Sequence, residues 1–222
     1  MPTESTPPSS EYTLHCFAQS GNAYKVALIL ELAEANWSPR WVDFFNGETR
    51  SPAYRAINSM GEVPVLEHRG QVISQSGVIL DYLATTLGKF GANDDAERRE
   101  ILRWTLWDNH KLTANIATLR FLVSFVPAAK TDPAVLEFLR GRVKAAFKVL
   151  DTHMATRSFV VAERLTIADL SLIGYLYFAD EFGVEWKDYP GVGAWIARIA
   201  ATPRWKHPYD LMPGHPLPAK TP

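Results

Sequence analysis

The stretch Gly61–Leu83, GEVPVLEHRGQVISQSGVILDYL, packs a turn, a hairpin and a helix entrance into one short unit. Val63-Pro64-Val65-Leu66 and Gln71-Val72-Ile73 read as two strands reversing at His68-Arg69-Gly70, because β-branched runs around a Gly-containing turn favour a hairpin. Gln75 and Ser76 then open a helix whose Val78, Ile79, Tyr82, Leu83 and Leu87 share one apolar face. The first N–H groups of a helix lack partners inside it and carry partial positive charge, so Ser76 and its neighbours offer a place for a carboxylate. Pro64 has no N–H to give and keeps the residue before it extended. Val63 is therefore expected to present its backbone N–H and C=O to an outside peptide. The unit suits a small peptide ligand.

Upstream, Tyr12–Phe17 reads as a first strand and Gly21–Glu34 as an amphipathic helix with Val26, Ile29, Leu30 and Ala33 on its core face. A second strand is expected over Pro39–Phe45 and a short helix near Ser51–Ile57. Strand, helix, strand, short helix, hairpin, helix is the βαβ then ββα order of a thioredoxin-like domain with a mixed sheet. Strand signals stop after Leu87–Asp94. A long helix from about Ala96 carries Leu102, Leu106, Thr113, Ile116 and Val123 near helical spacing, and Pro127 lies past its end. Asp132-Pro133, a cap followed by proline, opens a helix with Leu136, Leu139, Val143, Phe147, Leu150 and Met154. Thr166-Ile167-Ala168-Asp169 is a capping box, a folding signal that needs no ligand to explain it. The expected class is α/β plus all-α. Its parts are a flexible extension over 1–10, a thioredoxin-like domain over 11–88, a linker over 89–95, an all-helical domain over 96–207 and a Pro-rich tail over 208–222. The tail lacks periodicity and is expected to be loose or draped on the surface.

The chain of 222 residues, 47% hydrophobic, can bury a sizeable core. Lys and Arg total 23 against 24 acids, a balance that argues against a nucleic-acid or membrane-surface partner. No apolar run approaches the ~20 residues of a membrane span. The N-terminus lacks a basic and apolar leader pattern, so a cytoplasmic location is expected. With Cys16 as the one cysteine, an internal disulfide is impossible and no cysteine-based metal site is expected.

The hairpin and helix entrance, together with Ala18-Gln19-Ser20-Gly21-Asn22 at the first strand-to-helix junction, resemble the glutathione transferases. The string Ser20-Gly21-Asn22-Ala23-Tyr24-Lys25-Val26 is most similar to the serine-type zeta and theta classes and to the bacterial nu-like proteins, and the resemblance runs from about Tyr12 to His207. It implies glutathione as co-substrate, a homodimer and a small hydrophobic electrophile bound between the domains. It implies catalytic roles for Ser20 and Asn22, and a glutathione site made by Val63, Pro64, Gln75 and Ser76 with the Val63–Pro64 bond cis. Candidates for the electrophile pocket are Phe45, Trp104, Trp107 and His110.

Read from the residues alone, Ser20 is a cap or turn residue, Asn22 a helix-entry residue, Tyr24 a rival hydroxyl and Cys16 a small buried hydrophobe. Arg69, Arg103 and Lys25 stand between salt bridges and contact with a glutathione carboxylate. The chemistry such a junction supports is thiol activation, since a hydroxyl donating to a thiolate favours the charged form. The expected function is a glutathione transferase-like enzyme. The alternatives are a non-catalytic binding or stress-adaptor protein on the same fold, and a glutathione-dependent disulfide reductase of the nu-like type.

Overall fold

The computed structural model describes residues 10–217, so the expected N-terminal extension, apart from Ser10, and the end of the tail lie outside the described residues. The first half of the chain contains β1 (Tyr12–Cys16), α1 (Gly21–Leu32), β2 (Trp37–Trp41), α2 (Pro52–Ile57), β3 (Val65–His68), β4 (Gln71–Ser74) and α3 (Ser76–Leu87). Its four-stranded sheet is ordered β2-β1-β3-β4. β2 runs parallel to β1, with Tyr12 beside Trp37, while β3 and β4 are antiparallel and place Leu66 between Leu14 and Ile73. This is the mixed thioredoxin-like sheet.

β2 lies earlier than the expected Pro39–Phe45 because its template runs out. β1 ends at Cys16, whose carbonyl takes the Val42 N–H at 2.9 Å as the last inter-strand bond. The chain then turns through Asp43, with the Glu48 carboxylate accepting the Asp43 N–H at 2.7 Å. Phe44 and Phe45 thus stand in a loop beyond the sheet edge.

The second half is helical: α4 (Asp95–Trp107), a π-helical turn (Asp108–Leu112), α5 (Thr113–Ser124), α6 (Pro133–Met154), α7 (Ile167–Leu172) running into a 3₁₀ segment (Ile173–Phe182), α8 (Pro190–Ala200) and α9 (Pro208–Leu211). The expected single helix from Ala96 onward is therefore two helices joined by a wider turn. One residue more in that turn rotates everything after it by about 100° relative to a straight α-helix. Ile101 and Trp104 face the core of α4, whereas Leu102 and Leu106 are 56% and 61% exposed.

The π turn also aims Asp108 inward. Its carboxylate accepts from Lys25 Nζ of α1 at 2.7 Å, from Thr113 Oγ at 2.7 Å and from Ser171 Oγ at 2.7 Å. Lys25 and Asp108 are both fully buried, a charge pair tolerated because its hydrogen bonds are filled. This pair joins the sheet half to the helical half. Two glycines let the backbones meet beside it: a Cβ on Gly21 would stand 2.6 Å from the Gly174 carbonyl, and one on Gly174 would stand 2.5 Å from Lys25 Cε. Farther away, the Asp169 carboxylate closes the capping box on the Thr166 N–H at 2.9 Å and also holds the Val160 N–H and Trp195 Nε1.

The tail begins with regular structure where none was expected. Proline at the first position and His207 ahead of it turn Pro208–Leu211 into α9. Leu211 and Met212 are buried, and the Pro213 carbonyl accepts the Ala18 N–H at 2.8 Å. Among the described residues no helix is long and apolar enough to cross a membrane.

Candidate functional site

Ser20 ends the loop between β1 and α1 and caps the helix, its Oγ accepting the Ala23 N–H at 3.1 Å. A hydroxyl that accepts a cap bond keeps its own proton to donate elsewhere. It stands beside the N-terminus of α1, where the helix dipole favours negative charge. Asn22, two residues on, turns toward the entrance of α3, and its Oδ1 lies 3.5 Å from Ser76 Oγ. Ser20, Asn22 and Ser76 are thus brought together by two adjoining helix N-termini.

The α3 entrance is built from local turn chemistry. The Val63–Pro64 bond is cis, the isomer the resemblance implies. Tyr54 Oη and Asn58 Nδ2 donate to the Glu62 carbonyl at 3.0 and 2.9 Å, which fixes the backbone entering Val63. Gln75 sits at φ +72°, a conformation that L side chains adopt at a cost of roughly 1–3 kcal/mol and that clusters at functional sites. Its amide donates to Glu62 Oε2 at 3.0 Å. No side chain caps α3, so its first N–H groups remain open to a ligand's carboxylate.

On the other side of Ser20 lies a cavity of about 290 Å³ walled by Phe17, Phe44, Phe45, Phe121, Phe125 and Tyr175, with Arg120 also in its lining. Phe17 stacks on Phe44 with centroids 4.9 Å apart, and Phe45 meets Phe44 edge-on at 5.4 Å and Phe125 at 5.1 Å. These contacts make a concave, mostly aromatic surface of the kind that takes small apolar molecules.

Of the electrophile candidates, Phe45 lines this cavity and the other three do not. Trp104 is buried in the helical core, edge-on to Trp107 at 5.3 Å and against His153 at 4.4 Å. His110 is exposed on the π turn, because that turn directs Asp108 inward and its neighbours outward. The rival hydroxyl of Tyr24 is fully buried and donates to the Lys206 carbonyl at 2.8 Å. Burial pushes the Cys16 thiol up to about 12, which keeps it protonated and inert. Lys25 pairs with Asp108, Arg69 with Glu11 and Arg103 with Glu100. Among the described residues no cluster of His, Cys, Asp or Glu could hold a metal ion.

Sequence reasoning missed Phe17, Phe44, Phe121, Phe125, Tyr175, Gln19 and Arg120. Phe121 and Phe125 did carry a signal, four apart on one helix face, but helical phase counted from α4 across the π turn points to the wrong face. Tyr175 carried none, since it reaches the site through the contact of Gly21 with Gly174.

Residues 19–86 match the family model for the glutathione S-transferase N-terminal domain and residues 113–203 that for the C-terminal domain. A possible glutathione S-transferase from Rhodopseudomonas palustris has a crystal structure that is 34% identical and superposes with a TM-score of 0.85 over 92% of each chain. The theta class glutathione S-transferase from Xanthomonas axonopodis pv. citri, crystallised with glutathione bound, is 25% identical with a TM-score of 0.82 over 88% of this chain and 95% of its own. The disulfide-bond oxidoreductase YfcG of Escherichia coli (strain K12) is 26% identical over 84% of this chain and 89% of its own. With both domain matches arranged on the mixed sheet and helical half described above, the chain belongs to the glutathione S-transferase family.

Proposed function

We propose that the chain is a glutathione transferase in which Ser20 stabilises the thiolate of glutathione for attack on a small hydrophobic electrophile held in the aromatic cavity. Gln75, Ser76 and the open first turn of α3 hold the γ-glutamyl carboxylate, and the Val63 backbone pairs with the cysteinyl part next to Pro64. The observation that carries this reading is the position of Ser20. Its hydroxyl keeps a proton to give at the α1 N-terminus, it borders the aromatic cavity, and Asn22, two residues on, lies 3.5 Å from Ser76.

The chemistry follows from the thiol. At a pKa near ~8.5, only a few per cent of a free thiol is thiolate at neutral pH. A donor to a charged acceptor contributes ~1.5–3 kcal/mol, and one pKa unit corresponds to ~1.4 kcal/mol, so one hydroxyl lowers the thiol pKa by about one to two units. The thiolate then displaces a leaving group or adds to an electron-poor carbon, and no base is needed at Ser20.

Replacing Ser20 by Ala should raise the pKa of bound glutathione by about one to two units while changing its affinity little. Thiolate absorbance in the ultraviolet, titrated with glutathione saturating, reads this directly. The assignment fails if that titration stays put in Ser20→Ala and moves in Asn22→Ala, which would make Asn22 the activating residue. Asn22 also favours a second reading, glutathione-dependent disulfide reduction, as does the oxidoreductase among the relatives. Turnover of a mixed glutathione disulfide exceeding that of an aryl halide would select it.

A homodimer fits the exposed face of α3 and α4. Val78, Leu102 and Leu106 are 57%, 56% and 61% exposed around a groove of about 700 Å³ that reaches Gln75. Apolar groups gathered this way mark an interface. Sedimentation of a single species at the monomer mass would exclude it.

A further inference from the structure

The loop Phe17–Gln19 leaves the sheet at Cys16 and enters α1 at Ser20, so its backbone groups have no strand to pair with. They are filled from two distant places. The Ala18 N–H donates to the Pro213 carbonyl at 2.8 Å, and the Gln19 side chain adds a second tie to the tail, its Nε2 donating to the Gly214 carbonyl at 2.8 Å. From α5, Arg120 Nη1 donates to the Gln19 carbonyl at 2.6 Å. That carbonyl and the Ser20 N–H belong to one planar peptide unit. The Ser20 N–H donates to Phe17 O at 3.0 Å, so both ends of the plane that orients Ser20 are held.

Arg120 is itself fixed on every side. It is 2% exposed, its guanidinium lies 3.7 Å over Phe178, and it pairs with Glu181 at 2.7 Å. It also donates to Tyr209 Oη of α9 at 3.1 Å, and that hydroxyl donates in turn to Glu181. Tyr209 stacks flat on His215, with centroids 3.7 Å apart and planes 8° from parallel. The same guanidinium thus ties the tail and the Ser20 loop to each other. Gly214 closes the arrangement at φ +96°, where a Cβ would stand 2.7 Å from Trp41 Nε1.

We propose that Arg120 is a positioning residue and that it and the tail segment Met212–His215 form a clamp setting the orientation of Ser20 for thiol activation, a role that rests on the reading of Ser20 above. Neither Pro213 nor Gly214 borders the aromatic cavity, whereas Arg120 and Gln19 line it, so the tail acts from behind the loop while Arg120 holds the same Gln19–Ser20 peptide from α5.

Gly214→Val tests the clamp from its far end, because both the positive φ and the contact with Trp41 oppose a side chain there. Truncation after Leu211 provides a second variant that keeps α9. In both, amide hydrogen exchange at Ala18 and Ser20 should rise at least tenfold. The pKa of bound glutathione should rise by about one unit, kcat at neutral pH should fall about tenfold and recover at higher pH, and the KM for glutathione should stay within about twofold. A merely structural tail would lower melting temperature without moving the thiol titration. Unchanged exchange at Ala18 and Ser20 in both variants overturns the clamp even if the wild-type protein binds no glutathione, an outcome that would separately overturn the reading of the site. Faster exchange with an unmoved thiol titration and rate overturns the positioning role and leaves the glutathione reading standing.

Discussion

On one side of Ser20, Val63, Gln75 and Ser76 come from one continuous run, 63–76; on the other, the cavity wall draws Phe17, Phe45, Phe121 and Tyr175 from four separate segments. The first side is shaped by turn chemistry. A proline, a hairpin and a helix start place its groups relative to one another, with Tyr54 and Asn58 just upstream fixing the backbone that enters Val63. The second side exists only when the helical half is docked on the sheet half, since Phe121 and Tyr175 come from one and Phe17 and Phe45 from the other. A half built from local turns and an apolar half that assembles by docking can be varied separately, and each has its own way of failing.

The docking joint offers the largest effect. Removing the carboxylate in Asp108→Ala leaves the Lys25 ammonium buried with Thr113 Oγ at 3.1 Å as its remaining side-chain partner. Stranding one member of a buried pair costs about 3–5 kcal/mol, a large part of the 5–15 kcal/mol by which domains are stable. Chemical denaturation should register that loss, and the double variant Lys25→Met/Asp108→Leu should recover part of it, because the stranded ammonium is gone although the Thr113 and Ser171 hydroxyls still lose their acceptor. A loss below about 1 kcal/mol in Asp108→Ala would show that the halves are held by packing alone.

The local side should respond in affinity and leave stability largely alone. Ser76→Ala and Gln75→Ala should each weaken glutathione binding by about 1–3 kcal/mol, roughly 5- to 150-fold, as expected for losing a hydrogen bond to a charged group. Ser76 Oγ is only 3.5 Å from Asn22 Oδ1, too long a bond for its removal to disturb the fold much. Calorimetric titration with unchanged affinity in both variants would take the γ-glutamyl grip away from this entrance.

The same division explains how much the sequence could reveal. Proline before a hairpin, a serine opening an apolar helical face and the Thr166–Asp169 capping box are short-range patterns, and the elements they mark are those found. The end of β2 depends on where its neighbour β1 stops, which no pattern within Pro39–Phe45 records. Pairing of Lys25 with Asp108 joins residues on separate elements, and nothing local to either marks it. The π turn was hidden because Asp108–Leu112 differs from an α-helical turn by one residue of register. Arg120 carries no local signal, yet it is among the most buried polar residues.

The smallest effect tests the docked side most directly. Phe45 contacts Phe17, Phe44 and Phe125 at centroid distances of 5.9, 5.4 and 5.1 Å while remaining 37% exposed. Its loss therefore opens the cavity mouth without hollowing the core. An aromatic contact is worth about 0.5–1.5 kcal/mol beyond its buried area, so Phe45→Ala should lower kcat/KM for an aryl electrophile by about 2- to 12-fold. The glutathione dissociation constant and the thiol titration should not move, because the aromatic partners of this ring are Phe17, Phe44 and Phe125 of the cavity wall. Trp104→Phe supplies the contrast. It trims a buried ring in the helical core and should lower the melting temperature while leaving the ranking of electrophiles as in the wild type. If Phe45→Ala were silent and Trp104→Phe changed that ranking, the electrophile would bind against α4 and the aromatic cavity beside Ser20 would have another occupant.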